Sequence, residues 1–257
     1  MELKLERVVK KGKVTAIELQ GRDVDLMLYL NEMGWAQADI LCLKFFCYSP
    51  NEMNEGRLKT AKRRLWCLQE AGYIRAFRLG KDSSCFFVTR QGVQILTEKR
   101  PQIVHLKPIQ GLYITISEHT KRVQWSRIAL EFAKESAGWR SERRLKVVDL
   151  DIQKSVFEGR FPPYFPDGIY INRDGKKTVF EYEHAEKTTK QMESKIVQIE
   201  RLIDFFPSRY EQVLIITTTE QQTENYKKLI QNKPKFKTEI FNNLLKSGGI
   251  NGIFEQR

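Results

Sequence analysis

The sequence has no uninterrupted apolar stretch of the roughly 18 to 20 residues that a membrane-spanning helix requires. Its opening residues, Met1 to Glu6, also lack the apolar run of a secretion signal. We therefore expect a cytoplasmic protein that does not associate with membranes. The 257 residues, 41% hydrophobic and 30% charged, are enough for one large globular domain or two smaller ones.

Cysteine and histidine are scarce, and their spacing excludes a zinc knuckle. Such a site needs paired ligands at short spacing, whereas no two cysteines here form a Cys-x-x-Cys pair and the histidines are widely separated. We therefore expect free cysteines packed in a core. The residues concerned are Cys42, Cys47, Cys67, Cys85, His105, His119 and His184.

Acidic residues are fewer than basic ones, 32 against 44, which gives a net charge of +12. Residues 1–104 hold 18 basic and 12 acidic side chains, leaving 26 and 20 for the rest, so each part carries +6. Basic side chains that reach phosphates release condensed counterions, so this balance favours a polyanionic partner such as DNA. Because many basic proteins bind no polyanion, the placement of the charges matters more than their sum.

The first third of the chain predicts three helices and a hairpin. The helical patterns cover Arg22 to Glu32, a segment that opens at Trp35, and about Gly56 to Ala71. Alternating residues from Tyr73 to Leu79 and from Cys85 to Val88 predict two paired strands. Apolar residues spaced by three, four and three form one face of the third helix: Leu58, Ala61, Leu65 and Leu68.

The opposite face of that third helix is basic, and the hairpin adds further basic residues. Three helices followed by a hairpin are the order of a winged-helix domain, in which the third helix enters the DNA major groove. The segment GRLKTAKRRLWCLQEAGYIRAF resembles winged-helix domains. We expect residues 1–104 to form this domain, with a solvated basic face or a protein-binding winged helix as alternatives. The expected DNA contacts are Arg57, Lys59, Thr60, Lys62, Arg63, Arg64, Arg75, Arg78 and Lys81.

Residues 112–257 predict a second domain of mixed α/β (α+β) class. Helices are predicted over Glu118–Ala137 and Glu186–Phe206, and a short strand over Tyr113–Ile116. The order of helix, three strands, helix and strand is the core of the restriction-endonuclease-like PD-(D/E)xK fold. We interpret residues 220–257 as a helix and a loose tail. The four core strands are predicted at Leu145–Leu150, Gly168–Asn172, Thr178–Glu183 and Gln212–Thr217.

Three carboxylates lie on the predicted hairpin of this second domain. Asp167 opens one strand, and Glu181 and Glu183 share one face of the next because side chains on a strand alternate. Carboxylates this close repel one another unless a cation lies between them, and Mg²⁺ or Mn²⁺ is a hard ion that takes oxygen ligands. Such an ion activates water and stabilises charge on a scissile phosphate. An acidic strand can also be a solvated face, which stays the alternative.

Lys187 is predicted in the first turn of the helix that follows the acidic strand. The helix dipole disfavours a cation there, so a bound phosphate would explain the lysine. Chance, or pairing with Glu183 or Glu186, explains the lysine almost as well.

Three segments, GWRSERRL, PDGIYI and VFEYEHAEKTTKQMESKI, resemble the plasmid replication-relaxation family, and in particular the C-type relaxases of mobilizable plasmids. The resemblance covers nearly the whole chain and implies a winged helix joined to a divergent nuclease fold. Here Glu183 stands where the general nuclease motif has lysine, which leaves the general base open. The resemblance implies catalytic or metal-binding roles for Asp167, Glu181, Glu183 and Lys187, and less defined roles for Glu142, a possible metal ligand, and His119.

Two hypotheses for function follow. Most relaxases use clustered histidines and a nucleophilic tyrosine, which three dispersed histidines do not fit, so we expect direct hydrolysis, with covalent cleavage through a tyrosine as the alternative. The first hypothesis is an Mg²⁺- or Mn²⁺-dependent enzyme that nicks one strand at a plasmid origin of transfer, with an accessory mobilization or coupling protein as a further partner. The second is a non-catalytic replication or transcription regulator that keeps the nuclease fold as a scaffold.

Overall fold

The computed structural model describes residues 6–7, 17–79, 83–109, 117–148, 164–206 and 209–250. The chain divides into two units, Met1–Ile116 (unit 1) and Ser117–Arg257 (unit 2), and each combines helices with a β-sheet. The predicted domains were 1–104 and 112–257. Within the described residues, no helix is long and apolar enough to cross a membrane.

In unit 1 the three predicted helices and the predicted hairpin are confirmed. A further helix, α4, follows the hairpin and was not predicted. The four strands form an antiparallel sheet in the order β1-β3-β4-β2. The elements are β1 (Glu6–Arg7), α1 (Gly21–Met33), β2 (Ala36–Gln37), α2 (Ala38–Phe46), a 3-10 turn (Pro50–Glu52), α3 (Glu55–Glu70), β3 (Ile74–Leu79), β4 (Ser83–Val88) and α4 (Arg90–Lys99).

Helix α3 forms where the apolar spacing predicts it. The Asn54 side chain caps its first turn by accepting a hydrogen bond from the Arg57 backbone N–H at 2.9 Å. Ala61, Leu65 and Leu68 are fully buried, so the apolar face packs into the core of unit 1 and the basic face turns outward.

Arg64 fastens α3 to α1 through a buried ion pair. Its guanidinium donates to the Asp23 carboxylate at 3.0 Å from Nε and 2.5 Å from Nη2, and to the Glu18 carbonyl at 2.7 Å. The Asp23 side chain has no solvent exposure. Because the two charges are desolvated together, removing either one leaves a buried charge without its partner.

Unit 2 contains a five-stranded mixed sheet in the order β5-β6-β7-β8-β9. The β5–β6 and β6–β7 pairs are antiparallel, and the β7–β8 and β8–β9 pairs are parallel. The elements are α5 (Glu118–Phe132), β5 (Ser136–Ser141), α6 (Glu142–Val148), β6 (Gly168–Asn172), β7 (Lys177–Glu183), α7 (Thr189–Phe205), β8 (Gln212–Thr217), α8 (Glu220–Ile230), β9 (Phe236–Ile240) and α9 (Phe241–Ser247).

The first strand of unit 2 was predicted in the wrong place. Residues 145–148, predicted to begin a strand, belong to helix α6, and the edge strand is β5, where we predicted the end of a helix. Strand β5 has few residues of high strand propensity, so pairing with β6 and the packing of Trp139 on Tyr170 (centroids 5.7 Å apart) override the local preference. Gly138, which follows the predicted helix, has φ +60° where the β5–β6 register shifts.

The C-terminal segment is more ordered than predicted. The helix predicted there is α8, but strand β9 and helix α9 follow it in place of a loose tail. The predicted strand over Tyr113–Ile116 lies outside the described residues.

Helix α7 covers one face of the sheet, as its periodicity predicts. Five of its apolar side chains are at most 3% exposed and meet Val179, Val213 and Ile215 from the central strands. This packing fixes the helix directly over the strand that carries Glu181 and Glu183. The buried residues of the helix are Met192, Ile196, Ile199, Leu202 and Ile203.

We expect Arg64→Ala to lower the free energy of unfolding of unit 1 by about 3 kcal/mol, because the buried Asp23 carboxylate loses its counter-charge. Urea unfolding measures the change. The matched control is Arg63→Ala, whose exposed side chain should change stability by no more than about 0.5 kcal/mol. Equal effects of the two substitutions would contradict the structural role of Arg64.

Candidate functional site

The carboxylates of Asp167, Glu181 and Glu183 lie at one end of the sheet of unit 2, where β6 begins and β7 ends. Asp167 immediately precedes β6, and Gly168 pairs with Phe180, so Asp167 lies beside Glu181 on the neighbouring strand. Alternation along β7 turns Glu181 and Glu183 toward α7. The hairpin prediction of a shared acidic face is thereby confirmed for these two glutamates.

Asp167 is held by hydrogen bonds to both carboxylate oxygens. Oδ1 is 2.9 Å from Nε2 of His119, which lies in the first turn of α5, and Oδ2 accepts from the Tyr182 backbone N–H at 2.8 Å. Burial alone would lower the pKa of His119, but the hydrogen bond to Asp167 and the nearby carboxylate charges raise it above its ordinary value. The Glu142 backbone N–H also donates to the Asp167 carbonyl at 3.2 Å.

Glu181 is a buried carboxylate, only 1% exposed. Burial, together with the charge of Asp167, raises its pKa to about 8, although Lys195 and Tyr164 oppose the rise. The Lys195 ammonium lies 2.6 Å from Oε2, and the Tyr164 hydroxyl donates to Oε1.

Glu183 is equally buried but has a different partner. Its Oε2 lies 2.5 Å from Nζ of Lys187, so the ion pair that we left open as an explanation of Lys187 is formed. Thr188 caps α7, and the helix begins at Thr189. Lys187 therefore precedes the helix, and the prediction that it lies in the first turn is wrong.

Lys195 belongs to this candidate site, and sequence reasoning missed it. The sequence carried a signal for it, because Lys195 follows Met192 by three residues and precedes Ile199 by four, on the apolar face of α7. A charged residue on a buried helical face needs a partner, and only the fold identifies that partner as Glu181. Burial would lower the pKa of Lys195, but the charge of Glu181 raises it.

The predicted four-carboxylate metal site is not assembled. Within the described residues, no group of three or more histidine, cysteine, aspartate and glutamate side chains is placed to hold a metal ion. Glu142 pairs with Lys146 at 2.5 Å, and Glu183 pairs with Lys187. These two residues are therefore placed as ion-pair partners rather than as ligands of a shared ion.

Asp167 and Glu181 remain as a two-carboxylate donor set. They lie close enough for the charge of Asp167 to raise the pKa of Glu181, which is the repulsion that a cation relieves. Mg²⁺ is commonly held by only one or two carboxylates, with water and substrate phosphates completing its shell. The chemistry of these two residues therefore fits such an ion.

In unit 1, the predicted DNA contacts separate into exposed and structural residues. Arg64 pairs with buried Asp23 and is 20% exposed. The Arg75 guanidinium donates to the Ile109 carbonyl and lies over the rings of Phe77 and Phe87. Lys81 lies outside the described residues. The exposed members are Arg57, Lys59, Thr60, Lys62, Arg63 and Arg78.

The exposed basic residues cluster on the outer face of α3. Lys59 is 82% exposed and makes only a 4.0 Å ion pair with Glu55, which contributes little at this exposure. Arg57 pairs with Glu52 at 3.2 Å near the start of the helix. A rigid helix with such a face is chemically suited to the phosphates and base edges of a duplex.

Comparison with protein-family models, with curated proteins and with solved structures gives no significant match. The geometry of the two units therefore carries the functional argument.

The raised pKa of Glu181 makes stability depend on pH. The unfolded chain loses this proton near the ordinary value of 4.5, whereas the folded protein keeps it until about pH 8. The contribution of Glu181 is therefore fully present below about pH 4.5 and is lost as the pH rises toward 8. Between pH 5 and pH 8 the loss amounts to roughly 3 kcal/mol.

We expect Glu181→Gln to remove this loss, so that unfolding free energy falls less steeply with pH than in the wild type. Urea unfolding with chelator at pH 5 and pH 8 measures it. Glu193→Gln, on the exposed surface of α7, serves as control and should keep the wild-type pH dependence. Parallel pH profiles for wild type and Glu181→Gln would show that Glu181 titrates normally.

Proposed function

We propose that this chain binds DNA through unit 1 and cleaves one DNA strand at the Asp167–Glu181 site of unit 2. The observation that carries the proposal is the burial of Glu181, which is 1% exposed, beside Asp167 and the Lys195 ammonium at 2.6 Å. Buried charges are costly to maintain, and strongly shifted carboxylates occur preferentially at catalytic sites.

We further propose that unit 1 is a winged helix. The support is its element order, in which α1, β2, α2 and α3 precede the antiparallel β3–β4 hairpin, together with the basic outer face of α3. In this proposal α3 lies in the major groove and the hairpin is the wing, with Arg78 near the DNA backbone.

For unit 2 the proposed fold is the restriction-endonuclease-like PD-(D/E)xK core. The order α5-β5-β6-β7-α7-β8 supports it, with antiparallel pairing up to β7 and parallel pairing between β7 and β8. The carboxylates lie at the end of β7 and the start of β6, where that core carries its chemistry.

Each residue of the site has a role that its contacts support. Asp167 and Glu181 would hold Mg²⁺ or Mn²⁺, which supplies positive charge for the scissile phosphate and lowers the pKa of bound water. His119 orients Asp167 through the 2.9 Å hydrogen bond to Oδ1, and Tyr164 orients Glu181. Lys195 neutralises Glu181 and presents an ammonium to a substrate phosphate.

Lys187 and Glu183 take supporting roles in this proposal. Their 2.5 Å ion pair lies beside Asp167 and Glu181. When a DNA strand is bound, Lys187 can leave Glu183 and pair with a phosphate oxygen of that strand. Glu183 then becomes available as a proton acceptor, in keeping with its position in the nuclease motif.

The biological setting that we propose is plasmid mobilization. The sequence segments that resemble C-type relaxases include the Asp167 region and the strand that carries Glu181. The substrate would be the origin of transfer of a plasmid, and an accessory mobilization or coupling protein would be a further partner.

A non-catalytic DNA-binding regulator is the second candidate. It is favoured by the internal pairing of all three carboxylates, because His119, Lys195 and Lys187 already satisfy Asp167, Glu181 and Glu183. In that case the buried charges would serve only to hold the scaffold together.

We expect the wild-type protein to nick a supercoiled plasmid carrying its cognate origin in Mg²⁺ or Mn²⁺, and chelation to abolish nicking. Asp167→Asn and Glu181→Gln should each reduce the nicking rate by about 100-fold or more, because each removes a carboxylate that would hold the metal ion. Gel separation of supercoiled from open-circular plasmid measures the rate.

The matched control is Asp174→Asn, an exposed carboxylate in the turn between β6 and β7, which should nick at the wild-type rate. Protein that binds the origin but never nicks it would support the regulator. Nicking that persists in chelator would remove the metal from the proposal.

For unit 1 we expect Arg63→Ala to weaken DNA binding by about 1–3 kcal/mol, because an exposed guanidinium on α3 can reach a base edge. Fluorescence anisotropy of labelled duplex measures the affinity. Lys99→Ala, an exposed substitution on α4, is the control of equal charge change. Unchanged affinity in Arg63→Ala would place α3 outside the interface.

A further inference from the structure

One tryptophan of unit 1 is exposed on the basic helix. All four tryptophans lie within the described residues, and Trp35, Trp125 and Trp139 are 3%, 1% and 7% exposed, whereas Trp66 is 43% exposed. Tryptophan has the largest apolar surface of any side chain, so leaving it in water forgoes much of the free energy of burial. An exposed tryptophan on a charged helix therefore indicates a surface that a partner covers.

Trp66 belongs to the same surface as two basic residues. Lys59, Arg63 and Trp66, here called the contact stripe, are spaced by four and three residues, so they follow one face of α3. The opposite face is formed by buried Ala61 and Leu65. The stripe therefore combines positive charge with apolar area along a single line.

The helix that carries the stripe is fixed in place. The Arg64–Asp23 ion pair anchors its middle to α1, and the Asn54 cap holds its first turn. A fixed helix presents the three side chains without a further ordering cost for its backbone.

We propose that Trp66 enters the DNA interface as an apolar contact, next to the phosphate and base contacts made by Lys59 and Arg63. This inference rests on the proposed DNA binding of unit 1 and specifies its chemistry. Duplex DNA offers apolar partners in the deoxyribose carbons and in the thymine methyl groups of the major groove. The positive charge of Lys59 and Arg63 beside the indole favours DNA over an apolar protein surface, because binding such a surface would desolvate Arg63.

The proposal has a thermodynamic signature. Neutralising one phosphate contributes about 0.9 to the slope of log K against log salt concentration, because one counterion is released. Trp66 is uncharged and releases none. Its loss therefore weakens binding by the same factor at every salt concentration, whereas loss of Lys59 reduces the slope.

Anisotropy titrations of a labelled duplex at several salt concentrations test this signature. Trp66→Ala should weaken DNA binding roughly tenfold with an unchanged salt slope, and Trp66→Phe should lose much less affinity. Lys59→Ala should reduce the salt slope by about 0.9. Thermal unfolding of Trp66→Ala checks its fold. Wild-type affinity in both Trp66 variants would overturn the proposal.

Acrylamide quenching of tryptophan fluorescence gives a second readout that needs no folded Trp66→Ala. In the free protein Trp66 should dominate the quenching, and saturating duplex should reduce the quenching constant to that of Trp66→Phe. DNA binding by anisotropy without such protection overturns the role of Trp66 and leaves the DNA-binding proposal intact. If anisotropy shows no binding of the duplex, both the role of Trp66 and the DNA-binding proposal are overturned.

A second copy of the chain is the other candidate partner for the stripe. Protection that grows with protein concentration without DNA, and that duplex does not increase, would assign the surface to self-association and overturn the proposal.

Discussion

The burial of Glu181 is the constraint on which unit 2 depends. A carboxylate that is 1% exposed and lies beside Asp167 is tolerated because Lys195 and Tyr164 bind it, and because burial raises its pKa to about 8. These partners come from α7 and from the segment before β6, so the sheet and the covering helix must be correctly placed before the charge is stabilised. The proposed chemistry of the candidate site rests on the same arrangement.

In unit 1 a buried carboxylate also needs a charged partner, but the resulting Arg64–Asp23 ion pair stabilises the unit and is not part of a candidate site. Arg63 and Arg64 are neighbours with the same charge, yet their helical positions differ by about 100°. Arg64 is directed to buried Asp23 and stabilises the unit, whereas Arg63 remains exposed beside Trp66. The number of basic residues along α3 is therefore larger than the number of exposed basic side chains, and burial distinguishes the two groups.

Strongly periodic segments could be predicted from the sequence, and weakly patterned ones could not. The apolar spacing of α3 and α7 and the hairpin of β6 and β7 predicted these elements within a few residues. Strand β5 was not predicted because its residues carry little strand propensity. Pairing with β6 decides the conformation of this segment. In the candidate site, strand alternation predicted that Glu181 and Glu183 share a face, but Lys195 lies on a separate element and was missed.

The sequence by itself determined the helical faces, the hairpin in each unit and the alternation that turns Glu181 and Glu183 together, because these depend on contacts between residues close along the chain. The tertiary structure alone decided which charges pair: Arg64 with Asp23, Lys195 with Glu181, and Lys187 with Glu183. Lys187 was a candidate partner from its spacing, but only folding selected Glu183 over Glu186. The physical reason is that a buried charge takes its partner from whatever surface packs against it, and that surface is set by the whole fold.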